Sequence, residues 1–411
     1  MTKILNHINT YQSEADYQND NSKNFPNVSY IEEDDIVVFD NKVRYEEQYF
    51  AIESLEDDNA VMFKLSSSTS SAKTISASTD DGDTWTDYTS TANGTTIATL
   101  NMGEKVLIKG NNDYYGSDST NYAHFTASKE FDVNGNIMSL IYGDNFKEQY
   151  SFPTGTTKNL QYLFYNSTNL VSAVNLILPA TTLTDYCYNQ MFLGCTSLTT
   201  APALPATELR QYCYEYMFQN CTSLTTAPEL PATTLVSGCY YHMFENCTSL
   251  TTAPSILPAT TLASSCYTNM FSGCTSLVNA PELPATTLAS GCYSSMFNGC
   301  TSLVNAPELS ATTLVSNCYA GMFNGCTSLV NAPELSATTL VSNCYRYMFY
   351  GCTNLNYIKA MFTIKPTSTY TYNWVSGVAS SGTFVKNSAA TWDVTGINGI
   401  PSGWTVQYAS S

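Results

Sequence analysis

The stretch CYSSMFNGCTSLVNAPELSATTLVSN (292–317) is followed at once by CYAGMFNGCTSLVNAPELSATTLVSN (318–343). Working outward, the first cysteine of the unit recurs at Cys187, Cys213, Cys239, Cys266, Cys292, Cys318 and Cys344. Every step is 26 residues except the one from 239 to 266, which is 27 because Ser255-Ile256 replaces one residue. A fixed period of this size marks a chain whose units stack, since no single unit can bury its own apolar face. An upstream copy, NLQYLFYNSTNLVSAVNLILPATTL (159–183), keeps the apolar positions but has Asn159 and Ser167 where cysteines would fall. A degenerate first copy suits an end coil, which has a neighbour on one side only.

Within the unit from Cys292, the apolar or small residues Cys292, Met296, Phe297, Cys300 and Leu303 lie at offsets of 0, 4, 5, 8 and 11. That spacing predicts one face of a short helix, ended at Gly299. Pro307 disfavours helix at Ala306, so the following residues are expected to run extended. Each unit then supplies one short helix and one short strand. Eight stacked strands about 4.8 Å apart would form a parallel sheet roughly 40 Å long. The expected fold is an α/β leucine-rich-repeat solenoid of about eight coils between Asn159 and Leu355.

The units, with M-F-x-G-C-T-S-L followed by A-P-E-L-P-A-T-T-L, resemble BspA-like leucine-rich repeats. They depart from that pattern in being longer and in carrying a proline in the strand.

The rest of the chain is expected to flank this array. Residues 1–45 read as an extended, polar and acidic anchoring arm. Residues 46–150 read as a small antiparallel β-sandwich-like domain, with alternating runs AVMFKL (60–65), KTISAST (73–79), TTIATL (95–100), KVLIKG (105–110) and NIMSLIYG (136–143). Turn signals separate them at DDGD (80–83), NGTT (93–96), NNDYYGSDS (111–119) and NGN (134–136). The array occupies 151–355. Residues 356–411 read as a β cap built from FTIKP, GTFVKN and GWTVQY.

Charge narrows the functional classes. The 411-residue chain carries a net charge of −18, and 25 of its 34 carboxylates lie in residues 1–150. Such a chain has no electrostatic footprint for nucleic acid or an anionic membrane surface. No run is long and apolar enough to span a bilayer, and the start lacks the apolar core of a secretory signal. The expectation is that the chain stays in the cell that makes it, leaves within an assembly, or has lost an unseen leader.

The fourteen cysteines form seven pairs with seven residues between. On a helix, residues eight apart are about 12 Å apart. A disulfide needs Cα atoms roughly 4.4–6.8 Å apart. A metal site wants clustered thiols or thiols with histidine, and only His242 lies in the array. Reduced, buried core thiols are the expectation, with no cofactor and no metal.

Ser78, Asp80, Gly82, Thr84 and Trp85 match the Asp-box S-x-D-x-G-x-T-W, and the match resembles the boxes of sialidases. Physically it is a hairpin turn shaped by Asp80 and Gly82, with Trp85 packed behind it. A sialidase also needs an arginine cluster, whereas Arg44, Arg210 and Arg346 are scattered. No phosphate loop, nucleophile elbow or zinc-protease motif is present. The expectation is a protein without enzymatic activity.

The copies differ mainly between Cys and Met and just after Phe. Offsets 2, 3 and 6 there point away from the core. The plain reading is free drift of exposed positions. The functional reading is a recognition surface on the convex side, with Tyr216, Tyr241, His242, Tyr347 and Tyr350 as contacts, because tyrosine offers large area at low entropic cost.

KEFDVNGNIMSLIYGDNF (129–146) and TFVKNSAATWDVTGINGIPSGWTV (383–406) resemble the flanks of similar proteins in gut Bacteroidales and their phages. FPNVSYIEEDDIVVF (25–39) is similar to the N-termini of surface-exposed virion proteins of crAss-like phages. The resemblance implies a head-fibre, capsid-decoration or tail-adhesin protein. It would be held to other virion proteins by residues 1–45 and would display the repeats to host or mucosal glycans or proteins. Fibre-like proteins are commonly symmetric, so a dimer or trimer is expected. The competing readings are a surface adhesin of a Bacteroidales bacterium and a sialidase-like glycosidase.

Overall fold

The computed structural model describes residues 47–409. The expected anchoring arm (1–45) and Arg44 lie outside them.

The N-terminal part is two packed sheets. Its strands are β1 (Phe50–Ser54), β2 (Asn59–Leu65), β3 (Thr74–Ser78), β4 (Thr86–Thr89), β5 (Thr95–Leu100), β6 (Lys105–Gly110), β7 (Gly116–Asp118), β8 (Asn121–Ala127) and β9 (Phe131–Asn136). One sheet runs β5-β2-β8-β7 and is antiparallel. Strand alternation sorts its side chains: Val61, Phe63, Leu65, Ala123, Phe125 and Ala127 are buried, while the residues between them face outward. The other sheet runs β10-β9-β1-β6-β3-β4, and β10 (Leu170–Ile177) already belongs to the repeat array. β10 pairs parallel with β9, and a single hydrophobic core continues from Phe50 to Trp404.

Three short runs differ from expectation, the first being NNDYYGSDS, which contains the short strand β7 within the expected turn. NIMSLIYG contains a helical turn, α1 (Ser139–Tyr142), instead of a strand. NGN lies inside β9 and makes no turn. Gly135 has φ +76°, and a Cβ there would strike the Tyr49 carbonyl, so the glycine serves both the left-handed backbone and the close approach.

The coils are numbered one (from Asn159) to eight (from Cys344). They are mostly turns and bridges, with few helices, and this corrects the α/β expectation. The stretch between paired cysteines contains no helix. It is a chain of overlapping turns with a left-handed residue every fourth position, such as Tyr186, Gln190 and Gly194, then Tyr212, Tyr216 and Asn220. Amides alternate in their partners. Met191 N–H bonds the Tyr188 carbonyl three residues back, while Phe192 N–H bonds the Met217 carbonyl in the next coil. A helix would turn every amide inward along its own axis. Here half of them stitch neighbouring coils together.

The extended side also differs from the eight-stranded sheet expected. Among the described residues, strands of several residues occur there only at the two ends, β10 in coil one and Tyr357–Ala360 in coil eight. Later coils contribute single bridges such as Thr200–Thr226–Thr252 and Asn279–Asn305–Asn331–Tyr357. The proline two residues on (Pro202, Pro228, Pro281, Pro307) has no N–H to continue a ladder.

Stacking aligns identical side chains into columns. Phe164, Phe192, Phe218, Phe244, Phe271, Phe297, Phe323 and Phe349 stack at 5.2–5.8 Å within 10° of parallel. A second column, Tyr188 to Tyr345, stacks at 5.6–6.1 Å.

All fourteen cysteines are buried and unbridged. The second cysteine of each pair donates its thiol to a phenylalanine carbonyl in the preceding coil, Cys300 to Phe271 for example, at 2.9–3.1 Å across seven coils. In coil one, Ser167 takes that place and donates to the Phe125 carbonyl. The cysteine therefore fills volume and satisfies a second lone pair at once. Burial pushes the thiols up, Cys239 and Cys300 to about 12, so the reactive thiolate is suppressed. The native protein should accordingly give no reaction with an aromatic disulfide thiol reagent and fourteen equivalents in denaturant. Titration with the chromogenic reagent checks it, and several fast native equivalents would contradict it.

The C-terminal end is closed by β11 (Tyr357–Ala360), β12 (Thr383–Lys386), β13 (Thr405–Tyr408) and a helical turn α2 (Ser368–Thr371). The three strands are parallel. GTFVKN and GWTVQY supply β12 and β13, whereas FTIKP forms no strand. β11 lies just before it.

Candidate functional site

The turn side of the array carries the side chains that vary. Tyr216, Tyr241 and His242 come together across coils three and four. Tyr216 lies 5.7 Å from Tyr241 edge-on and 4.8 Å from His242, ring centre to ring centre. His242 Nδ1 is 2.6 Å from Glu245 Oε2, and Asn269 Nδ2 is 2.9 Å from His242 Nε2. Gln219 donates to the same Glu245 carboxylate. All three rings are half-buried.

Tyr347 and Tyr350 form a second cluster on coil eight, 5.7 Å apart edge-on. Tyr372 stands 5.3 Å from Tyr347, and the Arg346 guanidinium lies 5.1 Å from the Tyr347 ring. Sequence reading missed Arg346 and Tyr372, because Tyr372 follows the last recognisable unit. Four coil steps of 5.7–6.1 Å, measured along the tyrosine column, separate the two clusters. Between them the outward positions carry no aromatic ring: Thr268, Asn269, Ser294, Ser295, Ala320 and Gly321.

Backbone conformation adds a fact that periodicity hides. Tyr216, His242 and Tyr347 occupy the left-handed region, at φ 56°, 55° and 54°. The place is left-handed in the other coils too, filled by Tyr162, Gln190, Asn269 and Ser295 and, in coil seven, by Gly321 at φ 65°. A left-handed residue other than glycine costs roughly 1–2 kcal/mol, so bulky rings here oppose the local backbone preference.

A polar chain leads into the first cluster. Gln161 donates to Asn189 at 2.7 Å, and Asn189 donates to Glu215 Oε2 at 2.7 Å. Burial pushes the Glu215 carboxyl up to about 7, against the lowering effect of the Asn189 bond. The sign follows. The folded state holds this proton more tightly than the unfolded state, so the stability contribution is full below pH 4.5 and lost as pH rises through 7. Glu215→Gln should match the native chain near pH 4 and melt higher above pH 7. Thermal melts across that range test it, and a pH-independent difference would count against it.

The Asp-box residues form a tight turn between β3 and β4. Ser78 Oγ donates to Asp80 Oδ1 at 2.6 Å and accepts the Gly82 N–H at 2.9 Å. Thr84 donates N–H and hydroxyl to Asp80, and Trp85 Nε1 donates to the Gly82 carbonyl at 3.0 Å. The Ser78 and Thr84 bonds hold the Asp80 carboxyl down at about 2. Its oxygens thus already have partners within the turn. Among the described residues, no group of His, Cys, Asp or Glu is placed to hold a metal, and no helix is long and apolar enough to cross a membrane. Arg210 and Arg346 lie in different coils.

No curated protein matches the chain. Among solved structures it is similar to a leucine-rich repeat protein from Bacteroides ovatus ATCC 8483, at 14% identity over 72% of this chain and 88% of that one, with a TM-score of 0.29. That superposition is too loose to carry an argument. The model for the BspA type leucine rich repeat region matches six copies, over residues 139–278 and 244–378. Together these spans cover more than half of the sequence, and the chain belongs to the BspA-type leucine-rich repeat family.

Proposed function

We propose that the protein is a non-enzymatic, surface-displayed adhesin. Its coils form one open solenoid whose turn side grips protein or glycan through Tyr216, Tyr241, His242, Tyr347 and Tyr350. The observation that carries this reading is conformational. Tyr216, His242 and Tyr347 hold large rings at a left-handed place that Gln190, Asn269, Ser295 and Gly321 fill in other coils without a ring. Strain of this kind collects at functional sites. BspA-type repeat proteins are typically surface-associated, which agrees with an exposed role.

Other coils supply the substitutions for a test. Tyr216→Ser, Tyr241→Ser, His242→Asn, Tyr347→Gly and Tyr350→Asn each install a residue already present at the same place elsewhere (Ser295, Ser294, Asn269, Gly321 and Asn298). The combined variant should keep its melting temperature and lose about tenfold or more in binding to immobilised mucin and to Bacteroidales cells, a loss of roughly 1.4 kcal/mol. Unchanged binding would remove the reading.

For the carrier, we propose a virion of a phage of gut Bacteroidales, with the bacterial cell surface as the alternative. The resemblance of residues 25–39 to virion proteins favours the first. Fourteen unbridged cysteines agree with assembly in a reducing cytosol. On this reading residues 1–45 contact other virion proteins, and a dimer or trimer forms. Mass spectrometry of purified particles and of cell envelopes decides between the carriers.

A further inference from the structure

A pocket of about 270 Å³ lies where the β region meets coil one, and its walls share no residue with either tyrosine cluster. Its walls come from three separate stretches. β2 and the residue after it supply Lys64 and Ser66, β8 supplies Tyr122 and His124, and coil one supplies Tyr165 and Asn166. Alternation in the strands explains the placement. Leu65, Ala123 and Phe125 point into the core, so their neighbours face out toward the coil. Lys64 and His124 are direct cross-strand partners.

The chemistry of the walls is specific. Tyr122 stacks on Tyr162 at 4.7 Å and meets Tyr165 edge-on at 5.4 Å, which fixes both wall rings. Around them stand hydroxyl, amide and imidazole groups. No carboxylate lines the pocket, although the chain carries 34. His124 Nδ1 is buried with no hydrogen-bond partner. A packing residue at that place would avoid this penalty with an apolar ring. Burial, with Lys64 beside it, brings the imidazole down to about 4, so it is neutral at physiological pH.

The volume falls just below the roughly 300–1,000 Å³ of sites for drug-sized ligands, which points to a ligand of one ring. Fixed phenol rings offer a face or edge to C–H groups. Neutral donors and acceptors, with the Lys64 ammonium as the one charged donor on the wall, suit a molecule rich in hydroxyls. We propose that this pocket binds a single pyranose ring of a glycan, held against Tyr122 and Tyr165 and hydrogen-bonded by Asn166 and His124, while the Ser66 hydroxyl is already engaged by Thr120, Ser70 and Tyr122. The proposal does not depend on the two tyrosine clusters of the turn side.

The test is saturation-transfer NMR and calorimetry on the full chain, with methyl glycosides of common hexoses, N-acetylhexosamines and hexuronic acids as probes. At least one probe should bind. Tyr165→Ser should weaken it about tenfold, with an unchanged melting temperature, because Ser272 fills the equivalent place in coil five. Should that variant melt early, Asn166→Gly is read in its place, since Gly194 is its counterpart in coil two. The combined turn-side variant should bind the probe as the native chain does, which keeps failure of one site distinct from failure of the other. Absence of binding by every probe, or full affinity in the pocket variant, overturns the proposal.

Discussion

Phe271→Ala is expected to destabilise the protein by about 3–5 kcal/mol, the range for truncating a fully buried aromatic ring. Phe271 is 0% exposed and stacks between Phe244 at 5.6 Å and Phe297 at 5.8 Å. Nothing nearby is free to fill the gap, because the rings above and below are held in register by their own coils. The position also matters. Stability in a stacked array is close to a sum of coil terms and nearest-neighbour terms. A break at coil five weakens the interfaces on both sides of it. Urea unfolding should therefore show a lower midpoint together with a broader transition, as the two halves begin to unfold separately. A loss below about 1 kcal/mol with an unchanged slope would mean that the column does not couple the coils.

The second large effect is expected at the C-terminal end, where Trp374→Ala should also cost about 3–5 kcal/mol. Trp374 is 0% exposed and closes both aromatic columns, 6.2 Å from Tyr345 and 6.1 Å from Phe349. Phe362 and Phe384 pack on it from the cap side at 6.0 and 6.2 Å. Its indole donates to the Gly399 carbonyl at 2.9 Å, so truncation also strands a buried acceptor. The damage should be local. Amide exchange ought to quicken first between Tyr345 and Leu355, while protection around Phe192 persists. Uniform loss of protection along the array would show that the end is not an independent cap.

The repeat and most of its core were legible from spacing alone. Cys292, Met296, Phe297, Cys300 and Leu303 are all 0% exposed, as their offsets imply. The conformation that achieves this was misread, because offsets of 0, 4, 5 and 8 fit a turn every four residues as well as a helix of 3.6. The distinguishing sign was present in Gly291, Ser295 and Gly299, then Asn317, Gly321 and Gly325. These small or amide residues recur every fourth position, and all have positive φ. A four-residue period turns two adjacent residues inward, and for that reason Tyr293 is buried beside Cys292 where a helix would have swung it aside. The candidate cluster of Tyr216, Tyr241 and His242 was readable because one repeat length brings those positions side by side. The pocket was not, since its walls lie about 40 to 60 residues apart in the chain and meet only through the pairing of β2 with β8 and the docking of coil one.

The alternating amide pattern has an electrical consequence. On the turn side, the inter-coil bonds of coils two to seven run from the N–H of one coil to the carbonyl of the next, as from Tyr214 to Cys239, Tyr240 to Cys266 and Tyr267 to Cys292. Peptide dipoles aligned in one direction add, as they do in a helix, leaving the donor end positive and the acceptor end negative. Here the negative end adjoins the acid-rich N-terminal region, and the positive end lies at the cap. There, residues 334–411 carry four cations, Arg346, Lys359, Lys365 and Lys386, against the carboxylates of Asp393 and of Glu334, which pairs with Lys359 at 2.8 Å. Backbone and side chains thus polarise the molecule in the same sense. In an external field the molecule would be turned so that its Trp374 end, with Arg346, Tyr347 and Tyr350 close by, faces the more negative side.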